Sequence, residues 1–361
     1  MKKTVIILLL ILLCSCKAKE SIIKEPPVEN MPSTTEEVII SDSDDEKKEE
    51  DANEKIEIII NPDIIEEPVV DNQTAEEPAS KSPGFKIIYT SDMHGFLNGK
   101  ISYANLKAYK KMMIAEGYKT LLIDNGDTIH GTKTAKYNNG SAIINIMNKT
   151  GYDYLAIGNH DYAYGYDRLM ELKNECEFQI LSVNIVEPEE NKPIFVPYDI
   201  IESDGRRIAI IGISYTSLGD YRSKYKKDGK YQLEILNNDK LFEAIQTIID
   251  EVKDEVDCIV AMGHCSGTEN DTDTKAYQII KHTSGIDVFL SGHSHRIVEN
   301  RIIRDKDGNE VIFSIPGGEG ECFGVLTIAD NCITTEIIRE FEEKDEEILD
   351  LQNSLIEAVK Q

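Results

Sequence analysis

The chain has 361 residues, of which 40% are hydrophobic and 29% charged, enough for one large domain or one domain with extensions. Its 66 acidic residues outnumber 39 basic ones and give a formal net charge of -27. That balance excludes binding of a nucleic-acid duplex through a basic surface.

Taken in chain order, the first segment is a targeting signal. Lys2 and Lys3 precede a nine-residue apolar run over 5–13, too short to span a bilayer as a permanent helix. The run ends in Leu13-Cys14-Ser15-Cys16, which resembles the processing site of a bacterial lipoprotein. That resemblance makes 1–16 a signal peptide and Cys16 the lipidated first residue of the mature chain. It implies a membrane anchor and an extracytoplasmic location, periplasmic or at the cell surface, with each buried lipid methylene contributing about 0.8 kcal/mol. Residues 17–84 follow, with 20 acidic residues against 7 lysines. They read as a disordered acidic tether with a root-mean-square span of about 45–50 Å.

From Phe85 onward, short apolar runs alternate with amphipathic stretches. Strands are predicted over 86–90, 120–123 and 154–157, and helices over 101–116, 141–149 and 166–175. Such alternation implies βαβ units and parallel pairing. Buried strands over 208–213, 258–262 and 287–290 follow, with a helix over 241–253. The stretch 296–338 reads as β-hairpins, with Asp307-Gly308 as one turn, and a last helix is predicted over 342–359. No later segment is apolar and long enough for a transmembrane helix. Cys176, Cys258, Cys265, Cys322 and Cys332 are odd in number and show no CxxC spacing, so they cannot all pair.

Five short motifs each fall just after a predicted strand: Asp92-Met93-His94, Gly126-Asp127, Gly158-Asn159-His160-Asp161, Gly263-His264 and Gly292-His293-Ser294-His295. In open α/β sheets ligands bind at the carboxyl ends of strands, so residues scattered along the chain can converge there. Apart from His160 and Asp161, the motifs supply two carboxylates, one amide and four imidazoles, a ligand set for two divalent metals that share a carboxylate. A paired-metal site polarises a phosphate ester and supplies hydroxide at neutral pH.

The order of these motifs resembles that of the calcineurin-like metallophosphoesterases. Residues 125–131 and 158–165 are similar to the branch of secreted bacterial 5'-nucleotidases and 2',3'-cyclic-nucleotide phosphodiesterases, and the likeness covers about residues 85–340. It implies an α/β fold, a sandwich of two mixed β-sheets flanked by helices, with 341–361 as a separate C-terminal helix. By motif position, Asp92, His94 and His295 would hold one metal, Asn159, His264 and His293 the other, and Asp127 would bridge. The ions would be Mn, Zn, Fe or Co. His160 would face the substrate as the catalytic histidine. The implied reaction is attack of a metal-bound hydroxide on the phosphorus of a phosphate ester, with nucleotides as the expected substrates.

Departures from the family pattern are visible. Ala163 stands where the 5'-nucleotidases carry an acid that orients the histidine, His130 stands where glutamine is usual, and Asp161 receives no assigned role. The nucleotidases continue into a second domain whose aromatic residues stack on the base, whereas this chain stops at Gln361 and has no tryptophan. Base recognition by that route is therefore expected to be lost or supplied by a partner. Two other outcomes are compatible with the same scaffold: a sulfur-ester hydrolase and a non-catalytic metal-binding lipoprotein.

Overall fold

The computed structural model describes residues 83–267, 275–330 and 332–360. The signal segment, Cys16 and nearly all of the acidic stretch lie outside the described residues. Two six-stranded mixed sheets form the core of the fold. The first runs, edge to edge, Cys332–Ile338, Phe323–Ala329, Phe85–Thr90, Lys119–Asp124, Tyr154–Leu155 and Gln179–Ile180. Its last four strands are parallel, and Phe323–Ala329 joins Phe85–Thr90 antiparallel. The second runs Ile297–Arg304, Glu310–Pro316, Val288–Ser291, Cys258–Gly263, Arg206–Ile213 and Tyr198–Ser203, with the middle four strands parallel. This is the α/β sandwich of two mixed sheets expected from the sequence.

The period-2 alternation of side chains explains why two sheets stack. In Phe85–Thr90, the buried Phe85, Ile87 and Tyr89 share one cluster with Ile208, Ile210, Val260, Met262, Val288 and Leu290 of the second sheet. Ile88, on the opposite face, joins Leu106 and Ile143 of the covering helices. The second sheet repeats the device, with Ala209, Ile211, Ala261 and Phe289 facing Leu241, Ile245, Ile249 and Ile280. Strands buried on both faces read as continuous apolar runs, as they do here. Across the sheet-to-sheet layer, Tyr89 and Ser314 share a hydroxyl hydrogen bond of 2.6 Å.

Helix Tyr166–Glu175 has the bounds expected from sequence, and Tyr103–Ala115 and Ser141–Thr150 differ from expectation by one or two residues at their ends. The predicted strand over 154–157 is cut to Tyr154–Leu155, because the Ile157 amide is taken by the Ser214 side chain at 3.3 Å. The hairpin at Asp307-Gly308 joins Ile297–Arg304 to Glu310–Pro316. The next hairpin, Phe323–Ala329 with Cys332–Ile338, belongs to the other sheet, a partition that local patterning does not encode. Helix Lys275–His282 and strand Tyr198–Ser203 were not anticipated. The five described cysteines are all free thiols. Among the described residues no helix is long and apolar enough to cross a membrane.

The last helix spans Glu346–Lys360, four residues later at its start than expected. The delay has a cause in the preceding residues: Asn105 Nδ2 donates to the carbonyls of Phe341 and Glu343 at 2.9 and 3.0 Å, which holds them outside the helix. Asp345 Oδ1 then accepts the Ile348 amide at 3.2 Å as the cap. The helix lies against Tyr103–Ala115 and Ser141–Thr150. Gln352, 2% exposed, accepts from the Ala104 amide at 2.8 Å and donates to the Leu97 carbonyl at 2.7 Å. It thereby pins the loop that follows His94. Replacing Gln352 by Ala strands two buried backbone groups and is expected to lower unfolding free energy by about 2 kcal/mol in chemical denaturation. A change under about 0.5 kcal/mol would show that water satisfies those groups instead.

Candidate metal centre

All five motifs sit in loops at the carboxyl ends of strands. Asp92 and His94 follow Phe85–Thr90, Asp127 follows Lys119–Asp124, and Asn159 with His160 follows Tyr154–Leu155. His264 follows Cys258–Gly263 in the second sheet, and His293 and His295 follow Val288–Ser291. The site therefore straddles the end of the sandwich and draws on both sheets. Its backbone is unusual, because Asp92, His94, Asp127, His293 and His295 have φ of 54°, 46°, 58°, 79° and 54°. Positive φ is uncommon outside glycine and costs of order 1–3 kcal/mol per residue. Five such residues in one site mark loops whose conformation is set by what the side chains must reach.

Close approach of the loops is what the neighbouring glycines permit. A Cβ on Gly158 would run into the Asp127 backbone and carboxylate, and one on Gly292 would run into the Ser91 hydroxyl.

Donor atoms gather in two groups. One oxygen of Asp92 and one nitrogen each of His94 and His295 lie within 4.8 Å of one another, as do those of Asp127, His264 and His293. Between the groups lies Asp127 Oδ2, 3.2 Å from His264 Nε2 and 3.9 Å from His94 Nε2. Asp92 Oδ1 is 3.4 Å from His295 Nε2 and 3.8 Å from His264 Nε2. The imidazole nitrogens also crowd, with His94 Nε2 3.3 Å from His295 Nε2 and His293 Nδ1 3.3 Å from His264 Nε2. Two atoms each about 2.1 Å from a common cation lie about 3.0–3.4 Å apart, so this crowding fits divalent ions. Asp92 Oδ1 and Asn159 Oδ1 are buried without a hydrogen-bond partner, as atoms reserved for a cation would be. Carboxylate, amide and imidazole donors suit Mn, Zn, Fe or Co.

Outer contacts aim these atoms. Nδ1 of His94 and of His264 donates to the carbonyls of His130 and Asn125, at 3.0 and 2.8 Å, and this leaves each Nε2 for the centre. Asp92 Oδ2 accepts from the Ser91 hydroxyl at 2.5 Å and the His293 amide at 2.9 Å, which frees Oδ1. Asp127 Oδ1 accepts the His160 amide at 2.7 Å, which frees Oδ2. Burial disfavours a charge on His264, but the Asp127 carboxylate, Asp92 and the Asn125 carbonyl outweigh it and raise its pKa to about 9. Burial likewise opposes charge on Asp127, yet His264, the His160 amide and His94 hold its carboxyl well below the usual range. Metal uptake at neutral pH would therefore expel a proton from His264.

His160 stands beside this cluster, its ring 5.0 Å from that of His94 in a perpendicular contact. It stacks on His130 at 5.8 Å and 18°. Its Nδ1 is buried without a partner, and Ala163, 4% exposed, offers no carboxylate to it. Burial, then Lys136 and the two neighbouring histidines, lower the His130 pKa to about 4.

Two acids unassigned from sequence prove structural. Asp161, 1% exposed, accepts the amides of Asp127 and Gly158 on one oxygen at 2.9 and 2.8 Å, and those of Thr128 and Ile129 on the other at 3.0 Å. Burial and the nearby Asp127 push its pKa up, and the amide bonds oppose that shift. Asp124 accepts from Thr90 and Thr128 hydroxyls at 2.7 and 2.6 Å and from the Gly126 amide at 2.8 Å; burial raises its pKa to about 7. The signal for Asp161 was its place two residues after Asn159, which returns its carboxylate to the Gly126-Asp127 loop.

Replacing Asp161 by Ala leaves four buried amides without an acceptor. It is expected to cost about 3–5 kcal/mol in chemical denaturation and 10–100-fold in Mn²⁺ affinity by calorimetry. A loss below about 1 kcal/mol with unchanged affinity would contradict the clamp.

Comparisons with known proteins agree with this geometry. The family model for the calcineurin-like phosphoesterase matches residues 85–296. The chain is 25% identical over 244 residues to the NAD 5'-nucleotidase of Haemophilus influenzae, covering 63% of this chain and 38% of that protein. It is also 23% identical over 262 residues to the 2',3'-cyclic-nucleotide 2'-phosphodiesterase/3'-nucleotidase of the same organism, covering 64% of this chain and 39% of that one. The chain thus spans about two fifths of the length of these curated relatives. A solved 5'-nucleotidase precursor from Thermus thermophilus has the same fold at a TM-score of 0.64 and 19% identity, over 76% of this chain and 59% of that one. With the sandwich, the motif loops and a family match over residues 85–296, this chain belongs to the calcineurin-like phosphoesterase family.

Proposed function

We propose that the protein is a dinuclear metal-dependent nucleotide hydrolase of the 5'-nucleotidase or 2',3'-cyclic-nucleotide phosphodiesterase type. The observation that carries this reading is the pair of donor clusters with the Asp127 carboxylate between them. In it, Asp92, His94 and His295 hold one cation, and Asn159, His264 and His293 the other, with Asp127 as the bridge. When bound, two such cations polarise a phosphate ester and supply hydroxide at neutral pH.

The protein's own residues do the rest. Asp127 is fixed by the His160 amide, and the two loops are tied through Asp161, so the donors are preorganised before substrate arrives. His160, beside His94, stabilises charge on the transferring phosphoryl group or protonates the leaving oxygen. The acidic surface does not prevent phosphate binding, because the cations are the largest local charges in the site. The nucleotide preference is supported by the names of the Haemophilus influenzae relatives. The sequence motif ending at Cys16 supports a lipoprotein held at an extracytoplasmic membrane face.

Asp127→Ala removes the shared carboxylate and is expected to abolish phosphate release from AMP and ring opening of 2',3'-cyclic AMP. Circular dichroism of the variant is expected to remain that of a folded domain. Undiminished turnover on either nucleotide in the variant would sink the dinuclear reading, and silence of the metal-loaded wild type on every phosphate ester tried would favour a non-catalytic role.

A further inference from the structure

Strand Arg206–Ile213 ends at the metal centre, and residues 214–237 then make an excursion before helix Asn238–Val252. Its root is fixed at the site. The Ser214 amide donates to Asn184 Oδ1 at 2.8 Å, and the Tyr215 ring lies 4.8 Å from that of His293 and 5.9 Å from that of His264. Its middle is tied to the turn after Asn159, where Lys224 Nζ donates to the Ala163 carbonyl at 2.5 Å and the buried Tyr225 donates to the Tyr162 carbonyl at 3.1 Å.

A cavity of about 670 Å³ opens between this excursion and the turn at Pro188 and Glu189. One wall, Thr216, Ser217 and Leu218, is the chain immediately after Tyr215. A volume in the range of about 300–1,000 Å³, apolar walls and a few polar groups are what a small organic ligand requires. Leu218, Leu233 and Tyr231 supply the apolar surface, and Asn237 and Arg222 the polar groups. Glu234 also lines it and is engaged by Lys240 at 3.5 Å.

The charge of the excursion runs against that of the chain. Residues 219–231 carry five bases and two acids within a protein of net charge -27. Among the described residues Arg222, Lys226 and Lys230 make no ion pair with a carboxylate. Arg222 and Lys226 instead lie 5.8 and 4.5 Å from the centre of the Tyr231 ring. Aromatic rings and guanidinium planes are the surfaces on which nucleobases stack, and local positive charge draws in a phosphorylated ligand.

We propose that this cavity is the leaving-group subsite of the phosphoesterase centre, taking the nucleobase of a nucleoside phosphate against Tyr231 and Arg222. The inference rests on the nucleotide-hydrolase reading and names where in this domain the base is recognised.

The test uses the full chain loaded with Mn²⁺ and two substrates, AMP and ribose 5-phosphate, which has a phosphate and sugar but no base. Tyr231 is 37% exposed, so its removal opens no core. Tyr231→Ala is expected to lower kcat/KM for AMP about tenfold, mainly through KM, and to leave ribose 5-phosphate unchanged. Tyr231→Phe should restore AMP turnover. No change on AMP, or equal loss on both substrates, would overturn the subsite. Adenosine binding by calorimetry needs no turnover. It is expected in the wild type and about tenfold weaker in Tyr231→Ala; no binding, or equal binding, would overturn the proposal while leaving phosphoesterase activity intact. Tyr231-dependent adenosine binding in a protein that turns over neither substrate would instead overturn the nucleotide-hydrolase reading and the leaving-group role with it.

Discussion

The buried carboxylate of Asp161 is the constraint on which the site depends. It gathers four backbone amides, from Gly158 and from Asp127 through Ile129, and so locks together two loops that leave neighbouring strands of one sheet. Asp127 and Asn159, two of the proposed ligands, lie on those loops, which this single side chain ties together. A buried charge is tolerable only when its lone pairs are fully used, and here the amides use them. The second sheet is brought into the same arrangement by the bond from the His293 amide to Asp92. Rigid strands deliver the loops, and the buried hydrogen bonds decide where each donor atom points.

The same economy governs charge. Each aspartate of the centre has one oxygen occupied by the protein and the other left toward the cluster. Histidines bonded to backbone carbonyls are held in one orientation, and ring nitrogens 3.3 Å apart crowd one another unless a proton or a cation lies between them. His264 shows this conflict most clearly: burial disfavours its charge, yet the Asp127 and Asp92 carboxylates raise its pKa. Positive φ at five residues of the candidate centre is the backbone counterpart of that tension. Strain of this kind persists where the surroundings over-determine it, and the carboxylate clamps supply that determination.

Much of this was legible in the chain. The parallel strands at 86–90, 120–123, 208–213 and 258–262 are short, largely apolar runs, and all of their residues but Lys86 are buried. The candidate metal donors stand out because five short motifs each follow a strand, and the structure brings those motif loops to one end of the sandwich. What patterning could not carry was long-range. Nothing local says that two successive hairpins near the C-terminus join different sheets, or that Gln352 reaches back to Leu97 and Ala104. The role of Asp161 escaped for a related reason, since three of its four amide partners lie more than 30 residues away. The excursion at 214–237 falls between a predicted strand and a predicted helix, and only the structure shows that it packs against Ala163 and Tyr162.

Metal stoichiometry against turnover is the most direct measurement of the central claim. The full chain is stripped by chelation, Mn²⁺ is returned in steps, and bound metal and phosphate release from AMP are followed together. Two ions per chain, with release absent at zero and saturating near two equivalents, is the expected result. Release that survives complete metal removal, or that saturates at one ion per chain, would contradict a dinuclear centre bridged by Asp127.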